Sequence, residues 1–380
     1  NSYMLYISHK PIYGILFILY MNQKGAHQML LHKNTMAGFI GSYTNNESEG
    51  IYRFNLNPNS GEIEELFLAY KVDNPTYLCL DKENHILYSS CKINEKCGVA
   101  SFKYYKETNN LHLINYNLSE DKQPCHVSID SNSSLLLSSN YHENKMIVYN
   151  TLCGIILNYP VTDRHSGSSI NSKRQESPHI HCSIMTNDNK YIISVDLGID
   201  KLIISEIKNN KLIQRNDLDI SFPGGTGPRH ITYCNSKPFY YVLSELTSEI
   251  FAFKYNPDSD IILENIQTIS YLSKDYKGNK SGAAIHIHNN GKFLYTSDRG
   301  NNSLNLFYIE SNTGLLKYIN SFNCGGDSPR DFSIDPSGKY IVCANEKSNN
   351  LSIFSINQSN GDLTLLNSIT TPSPTCIVFA

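Results

Sequence analysis

A chain of 380 residues with 40% apolar and 18% charged residues can fill a sizeable core, and its abundance of Asn, Ser, Ile and Tyr suits short strands joined by polar turns. The formal net charge of -3 gives no overall basic field, which argues against nucleic-acid and anionic-membrane partners and leaves any anion site to be local. Ten cysteines lie scattered without CxxC pairs, so zinc-ligand and disulfide-framework spacings are absent and reduced, mostly buried thiols are expected.

Residues 1 to 35 share none of the later pattern. Their apolar run PIYGILFILYM is too short to span a bilayer and has no convincing signal-peptide cleavage site. The segment is expected to be a disordered extension or gene-start artefact, and the protein to be cytoplasmic.

From residue 36 a unit of about fifty residues recurs. Seven hairpins carry alternating apolar residues around a turn rich in Asn, Gly, Asp or Pro: 50 to 66, 98 to 114, 145 to 159, 201 to 214, 249 to 265, 303 to 319 and 350 to 366. Between them lie strand-turn-strand segments such as QPCHVSIDSNSSLLLSSN (123 to 140), GPRHITYCNSKPFYYVLSE (227 to 245) and SPRDFSIDPSGKYIVCAN (328 to 345). Together they give four strands per unit, the pattern of a propeller blade. The absence of Trp excludes the usual Trp-Asp blade signature. Closure follows from the ends: SPTCIVFA (373 to 380) has only the first strand of a unit, and AGFIGSYTNN (37 to 46) starts at the second. Pairing them predicts an all-β, closed seven-bladed β-propeller over 36 to 380, with no free strand edge left at the join.

In a propeller, the entry to each inner strand and the link from second to third strand open on one face. The entries carry QPCH, SPHIH, GPRH, SGAAIHIH and SPRD, and the links carry NYHEN, DLGID, ELTSE, DRGNNS and NEKSN. This brings His126, His179, His181, Arg229, His230 and Arg330 to one mouth, with Asp196, Glu245, Asp298, Arg299 and Glu346. Two insertions, 162 to 177 and 273 to 282, precede inner strands and should rise over that mouth, the first adding His165, Arg174, Gln175 and Glu176.

These motifs resemble the seven-bladed propeller lactonases, which include bacterial-type 6-phosphogluconolactonase and, more distantly, carboxymuconate-lactonizing enzymes. The resemblance covers about 36 to 380 and rests on GSYT, PCHV, HSGSS followed by RQESPHIH, DLGID, GPRH, SELTSE, SDRGNNS and SPRDFSIDPSGKYIVCANE, all in family order. The sequence departs from the pattern at SGAAIHIH, at Asp298 and at Asn302. The resemblance implies a hydrolase opening 6-phosphoglucono-1,5-lactone, a small anionic sugar lactone.

Such chemistry needs an activated water, stabilisation of the oxyanion and cations for the phosphate. Arg174, Arg229, Arg299 and Arg330 offer planar forks for phosphate or carboxylate. His179 is the first choice as base because strand alternation puts it on one side with His181, and Glu245 is the other candidate. The expected catalytic set is therefore His179, Glu245 and Arg229, with Arg174, Glu176, His181, His230, Arg299, Arg330 and His126 binding substrate. Asp196 reads as structural. His286 and His288 could ligate a metal at their spacing of two, but strand packing is the stronger reading, so no metal or cofactor is expected. GxSxG, HExxH, P-loop and dinucleotide fingerprints are all missing. Two rival readings use the same face: a carboxymuconate-type cyclisation, and a non-catalytic propeller that binds a peptide or sugar acid. Sequence does not fix the oligomeric state.

Overall fold

The computed structural model describes residues 35 to 105, 110 to 209, 211 to 273 and 275 to 380. The N-terminal segment expected to be a disordered extension therefore lies, apart from Thr35, outside the described residues. From Met36 onward the chain forms seven antiparallel sheets, each a blade. Blade 1 joins the two ends of the chain. Its inner strand is Pro374–Phe379, followed outward by Met36–Ser42, Gly50–Leu56 and Ile63–Lys71. Blades 2 to 7 follow in chain order, their inner strands beginning at Leu78, His126, Ile180, Pro228, Gly282 and Pro329.

Burial explains the strand sequences. Second strands such as Phe293–Asp298 and Tyr340–Asn345 are buried at every residue, because blades cover both faces. Outer strands such as Leu363–Thr370 are largely exposed and read as polar. Each hydrophobic cluster bridges neighbouring blades: Tyr295 and Leu306 of blade 6 pack with Ile341 and Phe354 of blade 7. Another cluster joins Val342 and Leu351 of blade 7 to Ile40, Phe54 and Ile377 of blade 1. The ring is thus closed by side chains as well as by the pairing Gly38↔Phe379, Phe39↔Val378 and Ile40↔Ile377.

Two blades differ from the regular hairpin expected. In blade 3 the outer strand is split into Ile155–Ile156 and Val161–Arg164, both paired to Lys145–Leu152. The break falls at Tyr159, which has a φ of 68°, and at Pro160, which has no N–H for the ladder. In blade 4 a short 3-10 turn, Asn216–Leu218, separates Lys211–Gln214 from Ile220–Ser221.

Four inner strands, those of blades 1, 4, 5 and 7, share an irregularity that positions the site. Register shifts occur between Ile180 and Cys182, Pro228 and His230, Pro329 and Asp331, and Pro374 and Cys376, the last opposite Gly41 and Ser42. The bulged residues are His181, Arg229, Arg330 and Thr375. A β-bulge turns its extra side chain out of the alternation, here toward the propeller mouth.

Candidate active site

A cavity of about 310 Å³ opens at this mouth, and all four bulged residues line it. A second ring comes from the residue immediately after four of the second strands, where Tyr43, Tyr141, Glu245 and Arg299 reach the same space. The insertion before blade 4 supplies Arg174, and Tyr77, Gln123, Cys125, His142 and His230 complete much of the wall.

Glu245 is the hub. Arg174 Nη2 donates to Oε1 at 2.5 Å, and Arg229 Nε donates to Oε2 at 3.0 Å. Arg299 Nη2 lies 3.1 Å from Oε2, but without the alignment of a directed hydrogen bond, so it acts as an ion pair. Burial alone would raise the Glu245 carboxyl, yet Arg299, Arg229 and Arg174 outweigh it and hold the group well below the usual carboxylate range. Arg229 is lowered to about 10 by burial and by Arg299, which leaves it cationic at neutral pH. Its Nη1 also donates to His230 Nε2 and to the Ala283 carbonyl. Arg330 donates to Glu346 and stacks over the Tyr43 ring at 5.0 Å. The cavity wall thus presents four guanidiniums against one carboxylate.

Histidines form the floor. The His181 and His126 rings lie 5.2 and 5.6 Å from the His230 ring, and Tyr77 packs on His126 at 4.4 Å. Burial, then Arg229, pushes all three below the ordinary imidazole value, His126 to about 3. They are neutral at pH 7. His181 and His230 line the cavity, whereas His126 is buried beneath it and contacts Cys182 Sγ through Nε2.

Other expected members of the mouth lie elsewhere. His179 is stacked on Tyr141 at 4.1 Å, with Nδ1 at the Tyr141 carbonyl and Nε2 at Glu176 Oε1, so both ring nitrogens are engaged outside the cavity wall. The expectation that alternation puts His179 and His181 on one side meets the bulge at His181, which breaks the alternation between them. Glu176 is half exposed and serves as that histidine's partner. Asp196 accepts from the backbone N–H of His179 and Gly198 and from His165, a structural role. Gln175 is buried and donates to the Leu197 carbonyl. Asp298 accepts from Ser248, Tyr271 and the Gly300 N–H. Of the first insertion, only Arg174 lines the cavity. Both insertions cross the links beneath them at glycines, Ser177 over Gly198 and Asn279 over Gly300, where a Cβ would collide with a carbonyl oxygen. His286 pairs with Asp331, and His288 binds the Gly338 carbonyl.

Tyr43, Tyr77, Tyr141, Gln123 and Thr375 were absent from the expected site. The available signal was positional. Thr375 in SPTC stands where Arg330 stands in SPRD and Arg229 in GPRH, and Tyr43 and Tyr141 occupy the post-strand position of Glu245.

Residues 37–379 match the family described as lactonase, 7-bladed beta-propeller. The chain belongs to the seven-bladed β-propeller lactonase family. Family membership places it in the class of lactonase-type hydrolases. It is 37% identical over 293 residues to the 6-phosphogluconolactonase of Bacillus subtilis, covering 77% of this chain and 83% of that protein. An uncharacterized Staphylococcus epidermidis relative is 35% identical over 276 residues, covering 72% of this chain and 78% of that one. Among solved structures, a Lactobacillus plantarum protein superposes with a TM-score of 0.85 at 28% identity, covering 91% of this chain and 99% of its own. The Pseudomonas aeruginosa periplasmic gluconolactonase reaches a TM-score of 0.84 at 23% identity, covering 91% and 99%, a likeness of fold.

Proposed function

We propose that the protein hydrolyses a phosphorylated sugar lactone, 6-phosphoglucono-1,5-lactone, to 6-phosphogluconate. The observation that carries this reading is the surplus of guanidiniums at the cavity: four arginines line it and meet two carboxylates, Glu245 in the wall and Glu346 on Arg330, which leaves two positive charges unmatched. A dianionic substrate supplies the missing charge. The relationship to the Bacillus subtilis enzyme supports the same substrate class.

In this reading the phosphate rests among the outer guanidiniums, with the lactone carbonyl toward Arg229. Water adds at the carbonyl carbon, the bond from that carbon to the ring oxygen breaks, and the ring oxygen takes up a proton. Arg229 stabilises the oxyanion formed on the way. Neutral His181, on a bulge in the cavity wall, accepts the proton from water. Glu245 has both carboxylate oxygens engaged by three guanidiniums, and its role is to orient them.

The test compares initial rates on 6-phosphogluconolactone, on the same lactone without phosphate, and on carboxymuconate. Preference for the phosphorylated lactone by about a hundredfold or more is expected from loss of charge-assisted contacts. Equal rates on both lactones would overturn the phosphate assignment. Turnover of carboxymuconate alone would favour the cyclisation, and binding without turnover a binding propeller.

A further inference from the structure

The loop that carries Arg174 is held in the cavity and also behind its wall, where buried Gln175 donates to the Leu197 carbonyl. In the cavity, Arg174 reaches Glu245, but the arginine side chain is 40% exposed and an incoming anion competes for its guanidinium. A further hold behind the wall lies at Asp200, in the link between the strands Ile192–Asp196 and Lys201–Lys208. Asp200 is only 3% exposed and does not line the cavity, so substrate has no access to it.

The Asp200 carboxylate joins two segments. Its Oδ2 accepts from the hydroxyl of Ser169 in the Arg174 loop at 2.5 Å and from the Gly225 N–H at 2.7 Å, and its Oδ1 accepts from the Gly227 N–H at 2.6 Å. Gly225 and Gly227 belong to the entry leading into Arg229, and the Gly227 carbonyl accepts from the Glu245 N–H. One buried carboxylate therefore fastens the Arg174 loop to the backbone that carries Arg229 and supports Glu245. No such bond passes through the substrate site.

We propose that Asp200 is a positioning residue that keeps the Arg174 loop seated on the Arg229 entry while substrate draws Arg174 away from Glu245. This rests on the proposed lactonase reading for its kinetic consequence, but not for the hold itself.

Asp200 has a φ of 53°, a left-handed conformation that Asn adopts readily, so Asp200→Asn changes the side-chain chemistry without straining the backbone. An amide has one oxygen. Whichever way it turns, the N–H of Gly225 or Gly227 faces an amide N–H2. Asp200→Asn should raise KM about tenfold and leave kcat within about threefold. If Asp200 acts through Arg174, the same change adds less than about twofold in an Arg174→Gln background. Hydrogen exchange should quicken in residues 166 to 176 and remain unchanged in Ile192–Asp196 and Lys201–Lys208. An unchanged KM, effects that multiply fully with those of Arg174→Gln, or unchanged exchange in the loop would each overturn the proposal. Should Asp200→Asn fail to fold, Ser169→Ala removes the loop's bond alone and is judged by the same readouts. If wild type proves inactive on the lactone, the functional reading fails, while loop exchange and calorimetric binding of inorganic phosphate, expected to weaken about tenfold in Asp200→Asn, still decide the role of Asp200.

Discussion

Glu245 shows how a buried carboxylate can be structural and functional at once. It touches three of the four cavity guanidiniums, so its loss leaves them facing one another without a counter-charge. Glu245→Gln should destabilise the protein by roughly 3 to 5 kcal/mol, the cost of an uncompensated buried charge, and should also abolish turnover. Denaturant unfolding gives the first quantity, and an unchanged midpoint would contradict the charge arrangement. The pH dependence has a definite sign. Burial opposes ionisation of Glu245, the arginines overcome it, and the folded value ends below the ordinary 4.5. Its contribution to stability is then complete above pH 4.5 and is lost as pH falls below it. The floor histidines act in a higher window. An unfolded chain protonates His126 near 6.5, while the folded protein resists until about 3, so stability falls as pH drops through that interval. Urea midpoints measured from pH 7.5 to 4 should decline in wild type and decline less in His126→Gln.

Among the elements, the inner strands carry most of the chemistry because those of blades 1, 4, 5 and 7 begin with a bulge that lines the cavity. The hairpins, their alternation and the placement of the mouth were legible in the sequence because side-chain period and turn residues report them directly. The bulge was not. In the sequence His179 follows Pro178 as Arg229 follows Pro228, whereas the ladders align Ile180 with Pro228 and His181 with Arg229. Two additional residues after Pro178 therefore shift the cavity position from His179 to His181, and only backbone pairing reveals the shift. His181→Ala is accordingly expected to lower kcat by about 10² to 10⁴, the usual worth of a general base, with a smaller loss for His179→Ala. The reverse order would contradict this register. Buried tyrosines do a different job between blades: Tyr241 donates to the Gly314 carbonyl of blade 6, and Tyr295 to the Gly361 carbonyl of blade 7. Tyr295→Phe should cost about 1 to 2 kcal/mol in thermal or denaturant unfolding, as one buried hydrogen bond is lost.

For the whole molecule, closure turns seven repeats into one cooperative unit. The two ends of the repeat region supply complementary parts of blade 1, and the hydrophobic cluster across blades 7 and 1 depends on Ile377 and Phe379 from the last strand. Removing residues 373 to 380 should expose that cluster and abolish the cooperative melt; a truncated protein with the wild-type midpoint would show that closure is dispensable. Closure also gives the cavity its charge, since Arg174, Arg229, Arg299 and Arg330 belong to the approaches and links of different blades. The central claim is that this converged cation set opens a phosphorylated lactone. Its most direct test is the rate of proton release from freshly prepared 6-phosphogluconolactone with wild type, Arg229→Ala and buffer. Wild type should exceed buffer, and Arg229→Ala should lose about 10² to 10³ of that enzymatic rate. A wild-type rate no greater than buffer, or an undiminished Arg229→Ala, would contradict it.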